Sequence, residues 1–136
     1  MIEHHYPVTV YYKDVDQMGI VYYSRYLEYF EMARTECLRM IGLSVTDLEA
    51  TGVFLPVVHS ACDYFLGARF EDRLDVISRI KEKPRSTLRI DYTIHRIADG
   101  KKLVAGYTLH AFVKPNGNPV RPPKNILDAI SKALTA

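Results

Sequence analysis

The sequence contains no tryptophan, only two cysteines and no long apolar run. Cys37 lies on an apolar helical stripe and Cys62 in a strand-like run, which favours two buried thiols over a disulfide and fits a reducing compartment. No segment approaches the roughly 18 apolar residues that a membrane span needs. Residues 1–5 also lack the charged-then-apolar order of a secretory signal. We therefore expect a cytoplasmic protein without a membrane span.

The chain also carries little net charge, because 18 Lys and Arg residues nearly balance 16 Asp and Glu residues. The basic residues are dispersed along the sequence, which argues against nucleic acid as a partner and leaves open a local basic patch for a phosphorylated ligand. The five histidines lack metal-ligand spacing, and neither C-x-x-C nor H-E-x-x-H occurs, so we expect no metal. The absence of G-x-S-x-G argues against a hydrolase with a serine triad, and the absence of G-x-G-x-x-G argues against a dinucleotide-binding enzyme.

The length of 136 residues fits one domain, spanning residues 1–136. Val8, Val10 and Tyr12 alternate with polar neighbours and predict a first strand. Apolar residues spaced three or four apart then predict one long helix. They are Tyr26, Phe30, Ala33, Cys37 and Ile41. A short second helix capped by Ser44 is predicted to follow.

Four further β-rich segments and a last helix complete the pattern. The predicted strands are Phe54 to Leu66, Leu74 to Lys81, Leu88 to Ile97 and Leu103 to Val113, and the last helix carries Ile126, Ile130 and Leu134. Asp99-Gly100 is the strongest hairpin signal. We predict an α+β domain whose five-stranded antiparallel sheet curls around the long helix. Open sheet edges favour a homo-oligomer, because pairing between subunits covers an edge.

An acidic pair and a glycine separate the first strand from the long helix. Asp14 and Asp16 are followed by Gly19, and the helix begins a few residues later. The first turn of a helix offers unpaired N–H groups and a partial positive charge, which suit the stabilisation of an oxyanion. For either acid the other interpretation is a turn residue that accepts backbone N–H bonds, and this is the favoured role of Asp14.

This motif resembles that of the hot-dog-fold acyl-CoA thioesterases of the 4-hydroxybenzoyl-CoA thioesterase type, with a closer likeness to the Tol-Pal-associated branch. The family pattern D-x-D-x-x-G-x-V, with an aromatic pair and a later tyrosine, corresponds to Asp14, Asp16, Gly19, Val21, Tyr22, Tyr23 and Tyr26. The helix continues in that branch's style from Tyr29 to Glu36. The order of elements agrees over nearly the whole chain, from about Tyr6 to the last helix.

The resemblance implies hydrolysis of an acyl-CoA thioester to a free acid and coenzyme A, without a metal or organic cofactor. It implies that Asp16 is the catalytic acid, acting either as nucleophile or as general base. The backbone N–H of Tyr23 would hold the thioester oxygen, with Gly19, Val21 and Tyr26 near the substrate. The Tol-Pal branch commonly has histidine where this chain has Tyr23, so short aliphatic and aromatic acyl groups both stay open.

The resemblance also assigns candidate contacts to coenzyme A. In the family, basic and small polar residues meet the phosphates near the turn between the third and fourth strands and near the last segment. These positions hold Lys83, Arg85, Ser86 and Arg121, whose side chains suit phosphate oxygens. A solvated turn is the other interpretation. His59 in the second strand is a further substrate-binding candidate, although a lone strand histidine is more often a packing residue.

Two other functional classes remain beside the hydrolase. Hot-dog domains also serve as non-catalytic modules that bind acyl-CoA or acyl carrier protein in lipid-related assemblies, and the acid at position 16 argues against that role. A hydroxyacyl dehydratase is less favoured, because those enzymes resemble a histidine-centred site. Within the hydrolase interpretation, a carrier-protein thioester is an alternative substrate and the assembly is a homodimer or homotetramer. Glu31 is interpreted as a solvated helix acid paired with Arg34.

Overall fold

A computed structural model describes all residues, 1–136, as one antiparallel sheet and three α-helices. The strands are β1 (Ile2–Thr9), β2 (Val57–Tyr64), β3 (Arg73–Ile80), β4 (Thr87–Arg96) and β5 (Lys102–Ala111). The helices are α1 (Arg25–Met40), α2 (Val45–Ala50) and α3 (Lys124–Thr135). The sheet order is β1-β3-β4-β5-β2, so β1 and β2 form its two edges. The predicted α+β class and the five-stranded antiparallel sheet are confirmed.

The helix α1 lies against one face of the sheet through the predicted apolar stripe. Tyr26, Phe30, Ala33 and Cys37 are all buried. The ring of Phe30 stacks on Tyr92 of β4, with 4.3 Å between the ring centroids. Aromatic stacking and area burial of this kind fix the position of α1 over the middle of the sheet. Both cysteines are free, and Cys37 is buried as predicted, whereas Cys62 is only half-buried.

Close contact between α1 and the sheet depends on Gly106 of β5. A Cβ built at Gly106 would lie 3.0 Å from the Phe30 ring and would overlap the carbonyl oxygen of Ala61 in β2. Glycine is therefore the residue that lets α1 and the edge strand β2 approach β5 at this point.

The predicted first strand was too long at its C-terminal end. Thr9 is the last residue of β1, and Tyr12–Asp14 form a single 3₁₀ turn. Val10 is fully buried but donates its N–H to the carbonyl of Asp72 outside any strand, while Tyr12 points outward and stacks on Phe70. The apolar alternation at this end reports burial and stacking rather than strand pairing.

The remaining predicted elements are present, although β2 is shorter at both ends than the predicted strand from Phe54 to Leu66. The Ser44 hydroxyl accepts the N–H of Asp47 at 3.1 Å and caps α2. Gly100 has φ of +69° in the tight β4–β5 hairpin, a conformation that favours glycine. Ile126 and Ile130 of α3 are buried in the same core as α1. No helix is long and apolar enough to cross a membrane.

Candidate active site

The chain between β1 and α1 folds into a small closed loop that carries Asp16. The N–H of Asp16 donates to the carbonyl of Ile20 at 2.9 Å, and the N–H of Gly19 donates to the carbonyl of Asp16 at 3.0 Å. The Asp16 carboxylate accepts the N–H of Met18 at 2.8 Å. Gly19 has φ of +78°, which closes the turn. The loop holds Asp16 at the surface through its backbone, with one carboxylate oxygen free of protein donors.

Segment 66–72 attaches this loop to the rest of the domain. The N–H of Val21 donates to the carbonyl of Ala68 at 2.9 Å, and Ile20 forms an isolated β-bridge with Arg69. A Cβ at Gly67 would lie only 2.9 Å from the Ile20 side chain. The catalytic candidate is therefore positioned by residues about fifty positions later in the chain.

Asp14 has a structural role, as favoured from the sequence. Its carboxylate is almost fully buried and accepts the N–H of Tyr11 at 3.1 Å and a proton of the Lys13 ammonium at 3.2 Å. Its carbonyl accepts the N–H of Tyr22 at 2.8 Å. These bonds cap the 3₁₀ turn and fix the backbone just before α1, so Asp14 holds the loop in position.

A cavity of about 320 Å³ lies between the loop, the start of α1 and the end of β2. Its walls are mainly aromatic and aliphatic, and Asp16 is its only carboxylate. The lining residues are Asp16, Ile20, Val21, Tyr22, Tyr23, Tyr26, Tyr64, Phe65, Leu66 and Gly67. An apolar pocket with one acid matches the usual form of a small-molecule site. The structure thus brings together the predicted residues Asp16, Val21, Tyr23 and Tyr26, while Gly19 shapes the loop without lining the cavity.

The turn that leads into α1 supplies free donors at this cavity. The N–H of Tyr22 donates to Asp14 and that of Arg25 to the carbonyl of Tyr22, whereas those of Tyr23 and Ser24 have no acceptor in the protein. The Ser24 side chain does not cap the helix. Unpaired N–H groups in a first helical turn carry partial positive charge and attract an anion.

Comparison with known proteins identifies the family of the chain. A family model described as "Thioesterase-like superfamily" matches residues 10–130. The chain belongs to this superfamily. An acyl-CoA thioesterase, YbgC, of Haemophilus influenzae is 38% identical over 92 residues, which cover 67% of this chain and 68% of that protein. The likeness to YbgC fits the predicted Tol-Pal-associated branch.

Solved structures of thioesterases share the fold. A 1,4-dihydroxy-2-naphthoyl-CoA thioesterase from Synechocystis has a TM-score of 0.84 and 26% identity, covering 98% of this chain and 96% of its own. A 4-hydroxybenzoyl-CoA thioesterase has a TM-score of 0.85 at 17% identity, covering 95% of this chain and 99% of its own, and shows the fold alone. The predicted hot-dog fold and the prediction of a thioester hydrolase are confirmed.

Two tyrosines of this thioesterase hold the helix start in place, and the sequence motif identified only one of them. The Tyr64 hydroxyl donates to the carbonyl of Tyr23 at 3.2 Å, and the Tyr26 hydroxyl accepts the N–H of Ala68 at 3.1 Å. Burial is the main cause that raises the pKa of both phenols, so both stay protonated near neutral pH. The aromatic pair Tyr64-Phe65 after the second strand's polar residues is the only sequence signal that could have indicated Tyr64.

We predict that Tyr64→Phe lowers kcat about fivefold and leaves KM and the melting temperature almost unchanged. The substitution removes the hydrogen bond that holds the Tyr23 carbonyl and so positions the residue whose own N–H, in the preceding peptide, is the predicted oxyanion donor. A single such bond contributes roughly 1 kcal/mol. Steady-state kinetics with thermal unfolding checks this. Tyr23→Phe is the matched control, because it removes another phenol from the cavity and keeps the Tyr23 N–H, so its effect should be modest. Equal effects of the two variants would contradict a positioning role for Tyr64.

The other predicted substrate contacts lie away from this cavity. His59 is on the opposite face of the sheet, where its ring stacks on Tyr107 at 5.4 Å between centroids. Lys83, Arg85 and Ser86 line one surface cavity of about 280 Å³ at the β3–β4 turn. Arg121 is exposed in the segment before α3 and does not line that cavity.

The β3–β4 turn lies at the far end of the sheet from Asp16. The start of β3 pairs with the end of β1, next to the loop that carries Asp16, and the eight residues of β3 then lead away from it. At about 3.3 Å per residue, this separates the turn from the Asp16 loop by roughly 25 Å within one chain. The structure therefore does not bring the predicted phosphate contacts to Asp16 in a single subunit.

Proposed function

We propose that this thioesterase hydrolyses an acyl-CoA thioester to a free carboxylic acid and coenzyme A at the Asp16 cavity. The observation that supports this proposal most is that Asp16, the only carboxylate of the cavity, and Tyr23, whose N–H is free, line the same cavity. An acid or nucleophile beside a preformed oxyanion donor is the arrangement that acyl transfer requires. The non-catalytic binding module is less favoured, because it would leave this arrangement without use.

Two routes use the same residues. In one, Asp16 accepts a proton from water while the water oxygen bonds to the thioester carbon; the C–S bond then breaks, and the leaving thiolate takes that proton from Asp16 and departs as the thiol of coenzyme A. In the other, an Asp16 oxygen bonds to that carbon, forms a mixed anhydride and expels coenzyme A, and water then hydrolyses the anhydride. In both routes the carbonyl oxygen becomes negative beside the Tyr23 N–H, which stabilises it.

The residues that line the cavity favour particular types of acyl group. Five of the ten lining residues are aromatic, namely Tyr22, Tyr23, Tyr26, Tyr64 and Phe65. Aromatic walls favour flat rings through stacking, and a volume of about 320 Å³ suits a short or compact group. Coenzyme A release should be measured on acetyl-CoA, short and long aliphatic acyl-CoAs, benzoyl-type acyl-CoAs and acyl carrier protein thioesters. Absence of turnover across the whole panel would refute the hydrolase.

A second copy of the chain paired through β2 would complete the substrate site. The edge strand β2 has one unpaired side and exposes Val57 and Val58. A two-fold axis through antiparallel β2 strands places the far end of one sheet beside the catalytic end of the other. The partner's Lys83, Arg85 and Ser86 would then lie on the same side of the assembly as Asp16. This arrangement supports phosphate binding by residues that are too distant within one chain.

We predict that light scattering gives a mass of two or four chains, and that Val57→Lys shifts the protein toward the monomer. A lysine at Val57 places a charge in the groove between α1 and the open edge, where pairing would bury it. Lys114→Ala, on an exposed residue outside β2, should keep the oligomeric mass. A monomeric wild type would contradict the proposed shared site.

A further inference from the structure

The hairpin between β4 and β5 holds one wall of the Asp16 cavity. This wall consists of Phe65, Leu66 and Gly67. The N–H groups of Phe65 and Leu66 both donate to the carbonyl of Leu103 in β5, at 2.9 and 3.2 Å. The pairing of β4 with β5 is irregular at this point and leaves Leu103 as an extra residue, a β-bulge. The main chain of the hairpin therefore holds two residues of the wall, and a side chain holds the third.

That side chain is Arg96, at the end of β4. Its Nη2 donates to the carbonyl of Gly67, its Nε to Asp72 Oδ2 and its Nη1 to Asp99 Oδ2, each at 3.0 Å. The Arg96 side chain is only 19% exposed. A guanidinium is planar and presents its donors in fixed directions, so these three acceptors hold one another in position. Arg96 thus joins the cavity wall, the turn at residues 69–72 and the hairpin turn at one point.

Asp72 links these bonds to the Asp16 loop. The Asp72 carboxylate also accepts the N–H of Arg69 at 2.9 Å, and the Asp72 N–H donates to the Arg69 carbonyl at 3.0 Å, which closes a turn. Arg69 forms the β-bridge with Ile20, whose carbonyl accepts the N–H of Asp16. Glu71 in this turn has φ of +71° and is the only non-glycine residue with a positive φ. Such a conformation is costly and persists only where its surroundings impose it. The turn is therefore kept in place by the bonds around it.

Arg79 of β3 has similar burial and bonds of the same kind, but it holds a different part of the molecule. Its Nε donates to Glu3 and its Nη1 to Thr93, both at 2.9 Å, and its side chain is 24% exposed. These partners lie on β1 and β4, so the Arg79 bonds connect strands only. Two of the three Arg96 bonds instead reach segment 66–72. Loss of either arginine should weaken the domain, and only loss of Arg96 should release the cavity wall and the Asp16 loop.

We propose that Arg96 is a positioning residue, which acts through Gly67 and Asp72 to fix the cavity wall against the Asp16 loop. This inference rests on the proposed hydrolysis, in which the carboxylate must lie at a set distance from the thioester carbon. A misplacement of about 1 Å lowers a rate by up to roughly a hundredfold, so a loosened loop lowers kcat. The other two residues of the wall keep their bonds to β5 without Arg96, so the cavity should remain and KM should change little.

The first test is steady-state hydrolysis by Arg96→Met, Arg96→Lys and Arg79→Met, well below their melting temperatures, of the acyl-CoA that the wild type hydrolyses fastest. We expect Arg96→Met to lower kcat about tenfold and to change KM less than about twofold. Arg96→Lys keeps the charge but cannot reach all three acceptors, so it should recover about threefold of that loss. Arg79→Met should lower the melting temperature by a similar amount and keep kcat within about twofold of the wild type.

The second test needs no substrate. Amide hydrogen exchange followed by NMR reports on the N–H groups of Asp16 and Val21, which donate to the carbonyls of Ile20 and Ala68. Relative to amides in the middle of the sheet, we expect Arg96→Met to speed the exchange of both at least about tenfold. Arg79→Met should leave this ratio unchanged. Arg96→Lys gives the same reading, with a smaller change, if Arg96→Met does not fold.

The two tests separate this proposal from the hydrolysis on which it rests. An equal fall of kcat in Arg79→Met, a wild-type kcat in Arg96→Met, or a fall of kcat without faster exchange of the two amides would overturn the positioning role. Absence of turnover by the wild type would refute the hydrolysis instead. In that case exchange that is faster only in the Arg96 variants still supports a loop held by Arg96, and exchange equal to that of Arg79→Met overturns it.

Discussion

Asp16→Asn is expected to lower coenzyme A release by about a hundredfold or more on every substrate that the wild type hydrolyses. The loop should keep its shape, because the backbone bonds of residue 16 to Ile20 and Gly19 do not involve the carboxylate. An asparagine oxygen can also still accept the N–H of Met18. The variant therefore removes the negative charge and the basicity of the acid while leaving its position intact.

The measurement is initial rate of thiol release, with a blank that contains protein and no substrate because the chain has two free cysteines. Circular dichroism and thermal unfolding confirm equal folding. Asp63→Asn is the matched control, since Asp63 is exposed and does not line the cavity. Equal rates in Asp16→Asn and wild type would refute the catalytic role of Asp16.

Gly106→Ala is expected to have the largest effect on stability, lowering the free energy of unfolding by about 3 kcal/mol. The added methyl group would overlap the Ala61 carbonyl and approach the Phe30 ring to 3.0 Å. The first conflict is with backbone, so β2 or β5 must move, and no side-chain rotation relieves it. A loss of this size corresponds to a fall of roughly 10 °C in melting temperature.

Urea and thermal unfolding measure this effect. Ala105→Ser, which adds one atom at the neighbouring position of the same strand on the other sheet face, should cost much less. Combining Gly106→Ala with Phe30→Leu should recover only part of the loss, because the conflict with Ala61 remains. A change in the unfolding free energy of Gly106→Ala as small as that of Ala105→Ser would contradict the close approach of β2 and β5.

Periodicity predicted the elements of this fold well where burial and local geometry agree. The apolar stripe of α1, the Ser44 cap and the Asp99-Gly100 hairpin are all local signals, and each has the predicted place. The first strand was extended too far because Val10 is buried without being in a strand. A pattern of burial does not by itself distinguish a strand from a loop that packs on the core.

The side of the sheet on which His59 lies depends on one irregularity. Pairing between β2 and β5 shifts between Val57 and His59, which leaves Val58 as an extra residue. Simple alternation would place Val57 and His59 on the same face. After the shift, Val57 and Ser60 line the groove beside α1, and His59 stacks on Tyr107 outside. A slip of one residue reverses every side chain, and sequence alone gives no signal for it here.

The sequence also did not predict the contacts that complete the site, because they join residues far apart in the chain. Tyr64 reaches the Tyr23 carbonyl across 41 positions, and Ala68 reaches the Tyr26 hydroxyl across 42. The i, i+3 rule for Glu31 and Arg34 failed for a similar reason, because the tertiary surroundings at Tyr92 and His110 compete with the helix surface.

Because the loop that carries Asp16 is attached to segment 66–72, the Asp16 carboxylate and this wall of the cavity can only move together. Leu66 and Gly67 line the cavity, and the same segment holds Val21 and Ile20 through backbone bonds. A substitution that widens the pocket at this wall would therefore also displace Asp16, the proposed catalytic acid. Acyl selectivity and turnover cannot be varied independently on this side, whereas the aromatic wall on α1 offers changes that leave the loop in place.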